Sequence, residues 1–416
     1  MNFNNPYKSP PAAAMRRLVL IGDSITAQGY TNSAGMKYSN HGWWMHALQI
    51  LGWPLTIDYI SATSGRTCED INTAFDTETG SAGIEWVWGI MGTNDMGVGA
   101  VPAALAEVDA LVVKAKARGA NVALGTVPPR SSGSMSAAIM SDTLEFNRGM
   151  RLRARRGDFL LFDAFSALTD PASTTGAARS SLLLDTVHPN AAGAVLIGRV
   201  AAELMAGRLF PLDDATASNF DTRSQDAESG VLLLNPKVNG TGGTTGTGAT
   251  GTTPTSWFLN RQSGSTLAVA GSQVADNDPR GRTWQRLTFS GSPAATELIR
   301  LQQSVLLSTY LGTSIIGQTV RARARFRSSA LPSTLQYARL FVECIDVVPA
   351  VTASTAGGAD SSYTLGWFPT AESVIETPPL VIPSGTLTLR ITVNVAFAAG
   401  AASGYLDVTD VIVEVV

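Results

Sequence analysis

This chain of 416 residues has few of the residues that build metal clusters and disulfide frameworks: two cysteines, Cys68 and Cys344, and three histidines. Pattern assigns the two cysteines to different domains, so they supply neither a disulfide framework nor a metal site. Charge is also scarce, at 15% of residues with a net charge of −3. That removes the basic surface that nucleic acid would favour. No run approaches the roughly 20 apolar residues of a membrane helix. The N-terminal MNFNNPYKSPPAAAMRR is polar and proline-broken, without the apolar core of a secretory signal. The expectation is a soluble chain that does not insert into membranes. What is present is a hydrophobic content of 44%, which marks a globular protein, in a length that favours two domains.

The first half alternates short apolar runs with helical periods, the pattern of a parallel sheet flanked by helices. Strands are expected at Leu18–Gly22, Leu55–Ile60, Ile84–Met91, Asn121–Val127 and Phe159–Ala164. Their run-like hydrophobicity predicts strands covered on both faces. Leu105, Val108, Val112 and Ala115 recur at helical spacing between Pro102 and Gly119. Further helices are expected over Ser136–Arg155 and from about Asn190 to Met205. The expected organisation is an N-terminal extension over 1–16, an α/β domain over 17–210, a polar connection over 211–229 and a β domain over 230–416. In that last part TVRARARFR at Thr319–Arg327, LTLRITVNV at Leu387–Val395 and LDVTDVIVEV at Leu406–Val415 alternate as strands do, and no helix is expected. Gly240–Thr255, nearly all glycine and threonine, reads as a loop that cannot pack a core.

Two short runs carry chemistry. LVLIGDSIT sets Ser24 at the end of an apolar strand, at the sheet edge where open α/β folds place their sites. DTVHP sets Asp185 three residues before His188, shortly before a helix. Together they offer a nucleophile, a base and an orienting acid for acyl transfer through a covalent ester. Gly92-Thr93-Asn94-Asp95 follows the third strand onto the same edge, where the Asn94 amide can donate. Gly65, after the second strand, offers an unobstructed backbone N–H. The amides of Ser24 and Gly65 with the Asn94 side chain would form an oxyanion hole. Asp95 is expected to hold its loop rather than react. His41 and His46 do not have the i, i+4 spacing of a helical metal pair; His41, Trp43 and Trp44 are candidates only for the border of a cleft. Because attack needs a neutral imidazole, activity is expected to fall below about pH 6.

The ordered set GDS at Gly22–Ser24, Gly65, GTND at Gly92–Asp95 and DTVH at Asp185–His188 resembles the SGNH, or GDSL-type, hydrolase family across roughly Arg17–Gly207. The resemblance implies a flavodoxin-like three-layer α/β/α fold and ester hydrolysis without metal or cofactor. It assigns Ser24 as nucleophile, His188 as base and Asp185 as its orienter, with Gly65 and Asn94 in the oxyanion hole.

The sequence says less about which ester is cleaved. With no long apolar lid, an O-acetylated carbohydrate, for instance a bacterial surface glycan, is the leading expectation; lipid and aryl esters are the alternatives. A different class of reading is a glycan-binding adhesin or virion protein without turnover, and a phage-tail deacetylase would reconcile an outside substrate with the lack of a signal. The β half loosely resembles a galactose-binding-like, jelly-roll sandwich. There Trp257, Trp284 and Trp367 are candidates for stacking on sugars, and the rival role is oligomerisation.

Overall fold

The computed structural model describes residues 17–31, 36–80, 83–209, 232–276, 282–307, 315–329, 334–347, 350–355 and 372–415. The expected extension over 1–16, the connection over 211–229 and Trp367 lie outside them. In chain order the first elements are β1 (Arg17–Gly22), α1 (Ser24–Ala27), β2 (Tyr30–Thr31), β3 (Met36–Tyr38), α2 (Trp43–Ile50), β4 (Thr56–Ala62), α3 (Cys68–Glu78) and β5 (Trp86–Ile90). Then follow α4 (Val101–Ala117), β6 (Asn121–Gly125), α5 (Ala137–Arg155), β7 (Leu160–Phe162), α6 (Ala164–Leu168) and α7 (Ala191–Met205). No helix among the described residues is long and apolar enough to cross a membrane.

The chain divides into two compact units, one from 1–28, 53–189 and 196–212, the other from 29–52, 190–195 and 213–416. Segment 29–52, embedded in the α/β stretch of the sequence, thus falls in the second unit.

The first unit is built on a parallel sheet in the order β4-β1-β5-β6-β7. Leu18, Val19, Leu20 and Ile21 are all fully enclosed, as a strand covered on both faces requires. Val19, Ile21, Val87, Val122 and Leu124 pack against Ile71 and Phe75 of α3, Val108 and Leu111 of α4, and Phe146 and Met150 of α5. Burying such side chains is worth about 1.5–3 kcal/mol each. Helix caps fix where the elements start: Thr67 and Asp70 form a reciprocal capping box on α3, and Ser136 accepts the Ile139 N–H of α5. This is the expected α/β domain with helices flanking a parallel sheet.

The second unit is a β structure, as the alternating pattern predicted. After β8 (Thr244–Thr245), β9 (Ala249–Gly251), β10 (Phe258–Ser263), β11 (Ala268–Ala275), β12 (Thr283–Ser290) and β13 (Glu297–Leu306) come β14 (Thr319–Ser328), β15 (Leu335–Cys344), β16 (Val351–Thr355), β17 (Ser373–Glu376), β18 (Leu380–Val381), β19 (Thr388–Phe397) and β20 (Tyr405–Val415). One sheet runs β2-β3-β16-β15-β19-β13-β10-β8, the other β17-β14-β20-β12-β11-β9, with β18 on β14. The inner faces are apolar and meet; Phe289 and Phe397 lie 5.1 Å apart, centre to centre.

Three expectations are corrected here. The Gly/Thr stretch is not loop throughout: it supplies the short, largely exposed strands β8 and β9, one to each sheet. Glycine is what lets it approach so closely, since a Cβ on Gly251 would stand 2.2 Å from the Gly271 carbonyl oxygen. Trp257 and Trp284 are not sugar platforms. They are 2% and 0% exposed, with their indole N–H groups donating to the Asn235 carbonyl and to Asp276. Trp43 and Trp44 are likewise fully enclosed and His41 is buried, so they offer a substrate no surface. His46, also in this unit, donates Nε2–H to the Asn40 carbonyl, and burial pushes its pKa down to about 4; it is a neutral structural histidine.

Candidate active site

The site sits at the C-terminal edge of the parallel sheet and is assembled by three of its loops. β1 ends at Gly22, whose φ is +148° and where a Cβ would lie 2.6 Å from both the Ile90 carbonyl oxygen and Thr26 Oγ1. Only glycine fits this close crossing. The next residue, Asp23, caps α1 by accepting the Ile25 N–H at 2.9 Å. Ser24 is therefore the first residue of a short helix, half-buried.

β5, the neighbour of β1, runs into the Thr93–Asp95 turn. That turn is laced to the loop before α3. Asp95 Oδ2 accepts the Cys68 N–H at 3.0 Å, and Asn94 Nδ2 donates to the Arg66 carbonyl at 2.9 Å. Arg66 is itself held by Glu78 at 2.5 Å. An amide carries two N–H donors, so Asn94 keeps one after bonding Arg66. Gly65 is exposed, with φ +84° and nothing within 4 Å of where a Cβ would stand. The sequence expected Asp95 to hold a loop, and this is the bond through which it does so.

The third loop brings the histidine. His188 Nε2 lies 2.8 Å from Ser24 Oγ, and His188 Nδ1 lies 2.7 Å from Asp185 Oδ2. With the carboxylate accepting from Nδ1–H, Nε2 is left to accept the serine hydroxyl. The other carboxylate oxygen accepts the Val187 N–H at 2.7 Å and the His188 N–H at 2.8 Å. Burial acts to raise the Asp185 pKa, but these backbone donors and the imidazole together outweigh it and hold the group below the usual carboxylate range. The loop is pinned at both ends: Gln28 Nε2 donates to the Pro189 carbonyl at 3.2 Å and Ser131 N–H to the Thr186 carbonyl at 2.9 Å.

Thus Ser24, His188 and Asp185 form one hydrogen-bonded chain, and Asn94 is tied to the residue after Gly65. Two contributors were not singled out from sequence. Arg130 donates to the Thr93 carbonyl at 2.7 Å, bracing the turn that carries Asn94; an arginine after Pro128-Pro129 gives no periodic signal. Asp23 is the other. It is fully enclosed, and burial pushes its pKa up to about 6 against the opposing pull of the Ile25 N–H, Thr93 and His188.

A raised carboxylate pKa means that the folded state holds the proton more tightly than the unfolded chain. Stability is then greatest below the unfolded pKa of 3.8, and this contribution is lost as pH rises through about 6. Asp23→Asn cannot ionise. Relative to the wild type, the variant should gain on the order of 2–3 kcal/mol between pH 4 and pH 7, read as a widening difference between two denaturant-melting curves.

Beside the Asp185–His188 loop lies a depression of about 420 Å³ lined by Ser131, Ser132, Asp170, Ser173, Thr174 and Ser180 among others. Six of its ten lining residues carry hydroxyls and three are alanines; Ser24, Asn94 and His188 are not among them, and the Ser131 N–H donates to the Thr186 carbonyl.

Residues 20–196 match the model of the GDSL-like Lipase/Acylhydrolase family. No curated protein matches the chain. Among solved structures, the chain is similar to the acetylxylan esterase Axe2 of Geobacillus stearothermophilus, at 21% identity over 46% of this chain and 94% of that one, with a TM-score of 0.38. It is also similar to a provisionally assigned lipolytic protein of the G-D-S-L family from Desulfitobacterium hafniense DCB-2, at 20% identity over 45% of this chain and 99% of that one, with a TM-score of 0.37. The stretch matched by the GDSL-like Lipase/Acylhydrolase family model, residues 20–196, carries the whole of the hydrogen-bonded constellation.

Proposed function

We propose that the chain is a serine esterase that removes short acyl groups, acetyl first among them, from a carbohydrate. The observation that carries the esterase reading is the unbroken Ser24–His188–Asp185 relay at 2.8 and 2.7 Å. His188 takes the Ser24 proton as Oγ attacks the ester carbonyl. The tetrahedral oxyanion is met by the Ser24 and Gly65 backbone N–H groups and the free N–H of Asn94. His188 then protonates the departing alcohol, and water repeats the sequence on the acyl-enzyme. Asp185 stays ionised at neutral pH, because its pKa is held below the usual carboxylate range. The orienting bond therefore persists across the working pH range.

The carbohydrate part of the reading is supported by the sequence, which carries no long apolar lid of the kind a lipid ester would favour. Hydrolysis of p-nitrophenyl acetate, butyrate and octanoate, with Ser24→Ala as the blank, tests it. Rates highest on acetate and matched on an acetylated oligosaccharide support it; rates that climb with chain length point instead to a lipid-type ester. Within the relay, Asp185→Asn should lower kcat by about 10⁴-fold with little change in KM, since an amide favours the wrong imidazole tautomer. Stopped-flow and steady-state kinetics on the acetate ester check this.

A further inference from the structure

Both sheets of the second unit carry arginines on their outer faces, but the two sets are neutralised differently. On the seven-stranded sheet Arg286 lies 2.8 Å and Arg327 2.9 Å from Asp407, Arg282 and Arg325 each lie 2.9 Å from Glu372, and Arg321 and Arg323 share Glu376. On the eight-stranded sheet Arg390 is matched by Glu343 at 2.8 Å. Among the described residues, no carboxylate lies within ion-pairing distance of Arg300 or Arg339.

These two arginines are also not simply solvated. Arg339 is 7% exposed, its guanidinium 3.6 Å from the centre of the Tyr337 ring and 5.0 Å from that of Phe341. Arg300 is half-buried. Burial lowers the pKa of both; for Arg300 the charge of Arg390 lowers it further and that of Glu343 opposes this, and for Arg339 the Tyr337 side chain opposes it. The ring contacts offset part of this cost for Arg339. Among the described residues Arg339 has no carboxylate in pairing distance, and Arg300 shares with Arg390 the charge of a single carboxylate, Glu343, so positive charge is in excess along the row.

Register makes it a row. Arg339 pairs with Asn394, Asn394 with Arg300, and Arg300 with Asn260, across β15, β19, β13 and β10. Guanidinium and amide alternate. Arg300 donates one guanidinium N–H to Gln302 Oε1 at 3.3 Å, but the Nε atoms of both arginines and the Oδ1 atoms of both asparagines lack hydrogen-bond partners, and Asn394 is 8% exposed. At about 4.8 Å between strands, Arg300 and Arg339 stand two strands, about 9.6 Å, apart with Asn394 between them. The row beside it runs Phe341, Thr392, Gln302 and Phe258, with half-buried aromatic rings at both ends. The face therefore combines an excess of positive charge, hydrogen-bonding amides and apolar ring edges, with Arg339, Thr392 and Asn394 recessed among them. A sugar acid offers the complement of all three: a carboxylate, hydroxyls and C–H faces.

We propose that this outer face of the eight-stranded sheet binds a carboxylate-bearing sugar, Arg300 and Arg339 holding the carboxylate and Asn260, Gln302 and Asn394 the hydroxyls. This site is independent of the esterase reading and stands or falls without it. The full chain, applied to an array of uronate, sialate and neutral glycans, binds carboxylated glycans and leaves neutral ones. Calorimetry on the strongest binder gives a Kd that weakens with added salt. The double substitution Arg300→Gln with Arg339→Gln weakens binding roughly 30-fold, with the unfolding temperature and hydrolysis of p-nitrophenyl acetate unchanged. Arg339→Lys, which keeps the charge but not the planar fork, gives an intermediate loss and serves if the double variant does not fold. Binding confined to neutral glycans, no binding to any carboxylated glycan, equal displacement by inorganic phosphate, or wild-type affinity in the folded variants would each overturn the proposal.

Discussion

Hydrolysis of p-nitrophenyl acetate should fall on the order of 10⁴-fold or more in Ser24→Ala, with the folded structure intact. The variant removes one hydroxyl from the first residue of α1, where the cap is made by Asp23 and not by the serine. Helix and sheet should therefore persist. What is lost is the atom 2.8 Å from His188 Nε2, and with it the acyl-enzyme that divides one difficult step into two easier ones. Residual rate over water should survive, because the donors at Gly65 and Asn94 remain. A near-ultraviolet spectrum and unfolding temperature equal to the wild type, beside collapsed kcat, would assign the loss to chemistry.

His188→Ala should cost as much on a sugar acetate but less on p-nitrophenyl acetate. In the proposed mechanism the imidazole has two tasks, accepting the serine proton and returning it to the departing alcohol. Nitrophenolate leaves readily without protonation, whereas a sugar alkoxide does not. The expected signature is thus a larger fall on the alkyl ester, by about 10-fold or more, than the fall on the aryl ester. Equal losses on both substrates would indicate that His188 serves only as a base or a structural strut. Parallel kcat/KM measurements on the two esters decide it.

The α/β half of this fold is legible because its signals are local. The apolar runs at Leu18–Gly22 and Ile84–Met91 are bounded by glycines that must bear unusual backbone angles, and β1 and β5 occupy those runs. Ser24, Asn94 and His188 follow strands or precede helices, so sequence alone puts them at loop positions. What joins them is tertiary and was not legible: the Asn94 bond to the Arg66 carbonyl, the brace from Arg130, and the enclosure of Asp23. None of these has a period or a spacing to detect.

The β half was less readable for a physical reason. Composition suggests that glycine-threonine repeats make loops, yet edge strands need only backbone donors and room, which glycine at 251 provides. Tryptophans suggest sugar platforms, yet Trp284 is enclosed beneath the guanidinium of Arg327, whose centre is 4.4 Å from the ring. The alternation in TVRARARFR correctly marks a strand, but its charged face is not the solvated one that alternation normally implies. Arg321 and Arg323 are buried and paired with Glu376. Segment 29–52 left the α/β pattern for the second unit without any change of composition to announce it.

The central claim is that Ser24 attacks an ester carbon with His188 as its base. Incubation with a p-nitrophenyl alkylphosphonate, followed by peptide mass spectrometry, tests it most directly. A stoichiometric adduct on the peptide containing Ser24, formed by the wild type and nearly abolished in His188→Ala, is the predicted result. An adduct on another residue, or no adduct from a folded protein that still hydrolyses p-nitrophenyl acetate, would contradict it.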